Sequence, residues 1–163
     1  MQLCVAVASP HRRLLWNPAM RKLSARMIHG KQIAIQIGDE SRCGECAWLG
    51  VNPDASETLN LPSEVRRLFR YWMQQLLQLR EGAETWLPYD FADEQTGWIC
   101  FRREGNQLLA VCGTAAVEGW EISLETSRTA APQGFRPDEP LHVQEFYLPR
   151  IIADLRVAVM DLS

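Results

Sequence analysis

Val65, Leu68, Phe69, Trp72, Met73, Leu76 and Leu77 recur at the spacing that lines up apolar side chains along one helical face, and predict a helix from about Pro62 to Arg80. Glu64, Arg66, Arg67, Arg70, Gln74, Gln75 and Gln78 occupy its other face, and Gly82 is read as its stop. Gln32–Ile37 alternates with period two and predicts a half-buried strand ending at Gly38-Asp39. From Thr85 to Glu125 the pattern becomes a run of short antiparallel strands. Trp98–Phe101 and Leu108–Cys112 are apolar runs of strand length, joined through Gly105-Asn106, a pair expected to supply the positive-φ residues of a tight hairpin. Val117–Leu124 then resumes a strand-like alternation.

The remaining segments carry weaker patterns. Met1–Ala8 is expected to be a strand. A helix is expected from Asn17-Pro18, with Met20, Leu23, Met27 and Ile28 on one face and His29-Gly30 as its close. Asp39–Leu61 shows no sustained period and reads as a long connection. Ser127–Pro140 is a loop, and Leu141–Leu148 a strand. Pro149 opens a last segment with Ile151, Ile152, Leu155, Ala158, Val159 and Leu162 on one helical face, although its β-branched residues leave a strand open. The order predicts a single α+β domain over residues 1–163. It would be mainly antiparallel sheet with a central meander, two to three amphipathic helices packed on one face and the other face partly open.

Composition narrows the class. Hydrophobic residues at 47% and charged residues at 23% are those of a globular domain, and no apolar run approaches the ~20 residues of a membrane span. The opening Leu3–Ala8 run is too short for a signal core and has no basic residue before it, so a cytoplasmic protein is expected. Five cysteines, an odd number, point the same way, to reduced thiols. The net charge of −3 hides a split: residues 1–80 hold 11 Lys/Arg against 6 Asp/Glu, and residues 81–163 hold 6 against 14. Either this is patchiness of a folded surface, or the C-terminal half offers an acidic face to a basic partner.

Candidate chemistry is sparse. Cys43-Gly44-Glu45-Cys46 is a lone CxxC, whereas a structural zinc site takes four enclosing ligands. A redox use needs the motif to open a helix, and Gly50 and Asn52-Pro53 leave no room for one. The pair is therefore read as incidental loop cysteines, dispensable for the fold. His11, His29 and His142 are too scattered for a paired metal motif; a Cys–His dyad stays open, since such partners meet only in space. The acids at Asp90, Asp93 and Glu94, at Glu118 and Glu121, and at Asp138 and Glu139 sit near turns, where solvated carboxylates are expected. Arg66, Arg67 and Arg70 form a basic helix face, but a pI near 5.6 and the lack of a recognition motif weigh against nucleic acid. No catalytic residue, metal or cofactor is assigned. Trp86, Tyr89 and Phe91 lie in a Pro-containing acidic stretch, and aromatics ringed by charge are what protein-binding hot spots look like.

Within Asp93–Leu124, the residues Thr96-Gly97-Trp98, the Arg102-Arg103-Glu104-Gly105-Asn106 hairpin and Val117-Glu118-Gly119-Trp120 resemble small bacterial immunity proteins of polymorphic and contact-dependent toxin systems. The resemblance covers about a fifth of the chain. It implies a cytoplasmic, non-enzymatic protein that binds and neutralises a cognate toxin domain. The expected contact residues are Trp86, Tyr89, Asp90, Asp93, Glu94, Glu118 and Glu121, facing a partner that is basic at the contact. The alternatives are a small cytoplasmic enzyme using carboxylates or thiols assembled by the fold, and a metal-stabilised regulatory domain.

Overall fold

A two-residue turn at Gly38-Asp39 and alternating side chains build the first layer of the protein. In the computed structural model, which describes residues 22–28, 31–46, 48–49, 60–124 and 131–162, β1 (Leu23–Ile28), β2 (Gln32–Ile37) and β3 (Glu40–Glu45) form an antiparallel sheet. β2 is the strand that alternation predicted, with Ile33, Ile35 and Ile37 fully buried. The other two strands correct the sequence reading. Leu23, Met27 and Ile28 were expected on a helix, but Leu23 and Ala25 turn inward at period two and register against Ile37 and Ile35. Six residues fit either period, and the ladder to β2 decides between them. β3 occupies the start of the expected Asp39–Leu61 connection; its polar sequence hides it, since within it only Gly44 is buried. The expected Met1–Ala8 strand and the Asn17-Pro18 and His29-Gly30 helix signals lie outside the described residues.

The two helices follow their periodicities. α1 (Leu61–Gln78) starts where the Asn60 side chain accepts a hydrogen bond from the Ser63 N–H at 3.3 Å, with Pro62 in the first turn. Val65, Leu68, Phe69, Trp72 and Leu76 are buried on it; Leu77, expected on that face, is 58% exposed, and Gln75 is buried in its stead. The helix ends at Gln78 with Leu79 already extended, before the expected stop at Gly82. α2 (Leu148–Asp161) takes Pro149 in its first turn and buries Ile151, Ile152, Leu155 and Ala158 against α1 and β1. The Arg66 guanidinium donates to the Leu162 carbonyl and ties the two helices together.

The second sheet contains β4 (Glu84–Phe91), β5 (Thr96–Glu104), β6 (Gln107–Ala115) and the short β7 (Arg136–Pro137), in that order, with β8 (Gln144–Tyr147) also paired to β6. The meander is therefore as expected. In its tight hairpin only Gly105 has positive φ, at 63°, so of the expected pair Asn106 does not, and the turn is of the kind with Gly at its first central position. Val117–Leu124 is not a strand: Gly119–Glu121 makes a 3-10 turn. Leu87, Tyr89, Phe91, Ile99 and Phe101 join the first sheet and both helices in one core, while Trp86, Trp98, Cys100 and Ala115 form a second cluster on the opposite face. Val117, Ile122 and Phe135 cover that second cluster, so the face expected to be partly open is capped by loops. Phe135 meets Trp86 edge-on, ring centres 4.6 Å apart.

Candidate functional site

The two sheets meet along β3 and β4. Gly44 lies so close to the β4 backbone that no side chain fits between them, and the Glu45 N–H donates to Asp90 Oδ1 at 2.8 Å. Burial raises the Asp90 pKa, opposed by the N–H groups that bond its carboxylate. One register position before Asp90, Tyr89 is the extra residue of a β-bulge, since Pro88 pairs with Trp98 and Asp90 with Gly97. A bulge on an edge strand is where a proline is tolerated, which is how Pro88 sits within β4.

Beside this seam is a cavity of about 380 Å³ lined by Glu40 and Arg42 of β3, Cys112 of β6, Asp138, Glu139 and His142 of the β7–β8 connection, and Gln144 of β8. Arg42 crosses from one sheet to the other. Its guanidinium meets Glu40 at 2.8 Å and Asp138 at 2.6 Å, and donates a long hydrogen bond to the Tyr89 hydroxyl at 3.4 Å. Burial works against this cation, but the bond to Glu40 and the neighbouring Tyr89 and Cys112 outweigh it, leaving its pKa above the ordinary value. His142 Nδ1 lies 3.4 Å from Glu40. A thiol and an imidazole thus share one cavity, the pairing left open by the sequence. Burial pushes the Cys112 thiol up to about 11, however, opposite to the direction that activates a nucleophile.

A second place gathers the predicted acids. Asp93 and Glu94 are exposed in the β4–β5 turn; Glu118, just before the 3-10 turn, and Glu121, its last residue, are exposed as well. Gly119 N–H donates to the Ala92 carbonyl at 2.9 Å and fastens one segment onto the other. Four carboxylates from two stretches of sequence therefore stand at one end of the sheet. Trp120, next to Gly119 in the chain, is 48% exposed, its indole N–H donated to Glu118. Trp86 and Tyr89, expected at the surface, are each only 5% exposed: Trp86 is sealed under Phe135 and Tyr89 belongs to the main core. Asp90 is half-buried and engaged with β3. Trp120 was legible as part of the Val117–Trp120 motif, but its exposure was not.

The other candidates disperse. Cys43 is an exposed residue of β3, whereas Cys46 is fully buried in the main core, its thiol pushed up to about 12 by burial. They are thus not a loop pair, and they differ in what they do. Cys43→Ser is expected to leave the urea midpoint unchanged, while Cys46→Ser, which places a hydroxyl in an apolar site, should cost about 1–3 kcal/mol. Equal midpoints for the two variants would mean that Cys46 is not in the core. Among the described residues no group of three or more His, Cys, Asp and Glu is placed to hold a metal ion. Of the basic helix face, Arg66 is spent on Leu162 and Arg67 pairs with Glu64 at 3.2 Å. No described helix is long and apolar enough to cross a membrane.

No protein-family description and no curated protein matches this chain. Among solved structures it is similar to a chain from the CdiA-CT/CdiI toxin and immunity complex of Enterobacter cloacae. The identity is 11% and the TM-score 0.44, over 87% of this chain and 97% of that one.

Proposed function

We propose that this chain is a non-enzymatic protein-binding module, an immunity protein that binds and neutralises a cognate bacterial toxin domain in the cytoplasm. The observation that carries the reading is Trp120, a half-exposed indole held by Glu118, on the segment that Gly119 fastens beside exposed Asp93 and Glu94. A large aromatic kept in solvent with its polar edge fixed is ready to bury its ring against a partner, and tryptophan is over-represented among residues that dominate binding energy. The surrounding carboxylates select a partner that is basic at the contact and steer its approach. The Asp93–Leu124 segment that resembles immunity proteins contains every residue of this patch. Trp86 and Tyr89, each only 5% exposed, lie beneath the surface and are left out of the proposed contact.

The reading expects a toxin domain to be encoded beside this chain, and the test is co-expression with it, followed by binding measurements on the purified pair. Growth protection and a stable complex are expected. Trp120→Ala should weaken the complex by about tenfold or more, chiefly through faster dissociation. Neutralising Asp93, Glu94, Glu118 and Glu121 together as amides should slow association and flatten its dependence on salt. Toxicity that persists with no complex formed, or a partner that is acidic where it meets Trp120, defeats the proposal.

A further inference from the structure

We infer that the cavity between the two sheets receives a basic side chain, arginine or lysine, from the protein that docks on this chain; the inference rests on the binding role proposed above and specifies a second contact for it. Three carboxylates, Glu40, Asp138 and Glu139, line the cavity against the single guanidinium of Arg42, which is already divided between Glu40 and Asp138. The space is left with an excess of negative charge. Gln144, only 8% exposed, lies on the same wall, and its Oε1 is buried with no hydrogen-bond partner. A buried acceptor without a donor is a standing cost that an incoming N–H group removes.

Arg42 Nε is buried without a partner as well, so a neutral amide could satisfy both atoms. The surplus of carboxylates is what selects a cation over an amide. At about 380 Å³ the cavity is at the small end for ligand pockets, suited to one long side chain. Leu141 and Val143 stand exposed on either side of His142, 45% and 41% accessible. Apolar residues beside a charged opening fit a side chain that arrives on a protein surface better than a free small cation.

The probe is Nα-acetyl-arginine amide, titrated into the full chain while the amide resonances of Cys112 and Gln144 are followed by NMR. Saturable shifts are expected, with Nα-acetyl-citrulline amide, whose neutral urea keeps N–H donors and gains a carbonyl acceptor in place of the charge, at least tenfold weaker. Gln144→Leu, of similar volume, should bind the arginine probe at least tenfold more weakly and raise the melting temperature, because it removes the orphaned acceptor. Should that variant fail to fold, Glu139→Gln, at an exposed position, should still weaken arginine binding several-fold. Absence of saturable shifts, equal binding of citrulline, or unchanged binding by the foldable variants overturns the inference. The two proposals separate in the toxin-binding assay. Loss of affinity in Trp120→Ala but not in Gln144→Leu refutes the cavity contact and leaves the immunity reading standing. Arginine binding without any toxin complex refutes the immunity reading alone.

Discussion

Gly44→Ala is expected to lose more than about 3 kcal/mol of stability in urea denaturation, near the top of the range for overpacked sites. A Cβ at this position would lie 2.0 Å from the Tyr89 carbonyl oxygen, 2.8 Å from its carbon and 3.0 Å from Asp90 Cα. All three are backbone atoms, so no rotamer change makes room. Either β4 distorts against its ladder to β5, or the two sheets separate and break the Glu45–Asp90 hydrogen bond. Separation would also draw Arg42 away from Tyr89 and Asp138 and open the cavity it spans. Gly105→Ala is the control: nothing lies within 4 Å of its added Cβ, and only the positive φ of 63° is strained, which costs roughly 1–2 kcal/mol. If Gly44→Ala is no worse than Gly105→Ala, the sheets are not in contact along β3 and β4. The informative residue of the Cys-Gly-Glu-Cys motif is therefore its glycine, which joins two sheets, and not its thiols.

What the sequence revealed and what it hid divide along the distance over which each feature is decided. α1, α2 and the β5–β6 hairpin were legible because an 18-residue stripe, a 14-residue stripe and a Gly-containing turn repeat their signal locally. β1 and β3 are six residues each, and their state is set by β2 beside them, so the strand at Leu23–Ile28 passed for a helix and that at Glu40–Glu45 for a loop. Pro88 made β4 look like an irregular acidic stretch, which put Trp86 and Tyr89 at the surface on paper; a bulge on an edge strand absorbed the proline and buried both. The acidic surplus of the C-terminal half was visible as a count. That Asp93–Glu94 and Glu118–Glu121 stand together depends on the bond from Gly119 to Ala92, which no local pattern announces. The cavity joins Glu40 and Arg42 to Cys112 and to residues 138–144, so its chemistry exists only once the sheets have met.

Trp72→Ala should be the most damaging truncation in the helical layer, at about 3–5 kcal/mol from lost packing. Trp72 is completely buried, its ring centre 5.6 Å from that of Phe69 in the stripe that faces the core. Its indole N–H also donates to the Pro88 carbonyl at 3.1 Å, which links α1 to the strand carrying the bulge. Alanine therefore leaves both a cavity and an unpaired buried carbonyl, the latter adding about 1–3 kcal/mol if no water replaces the donor. Against a total stability of about 5–15 kcal/mol for a domain, such a loss removes much of the folded population's margin. On the immunity role proposed above, it should abolish protection in cells through lost folded protein, without the residue touching any partner. Trp72→Phe separates the two losses, since it keeps much of the ring volume but not the donor, and should fall between Trp72→Ala and the native chain. Leu77→Ala, on the same helix but 58% exposed, should cost under about 0.5 kcal/mol. If Leu77→Ala proved more harmful than Trp72→Ala, α1 would have to present a different face to the core, and the contact through Pro88 to β4 would fall with it.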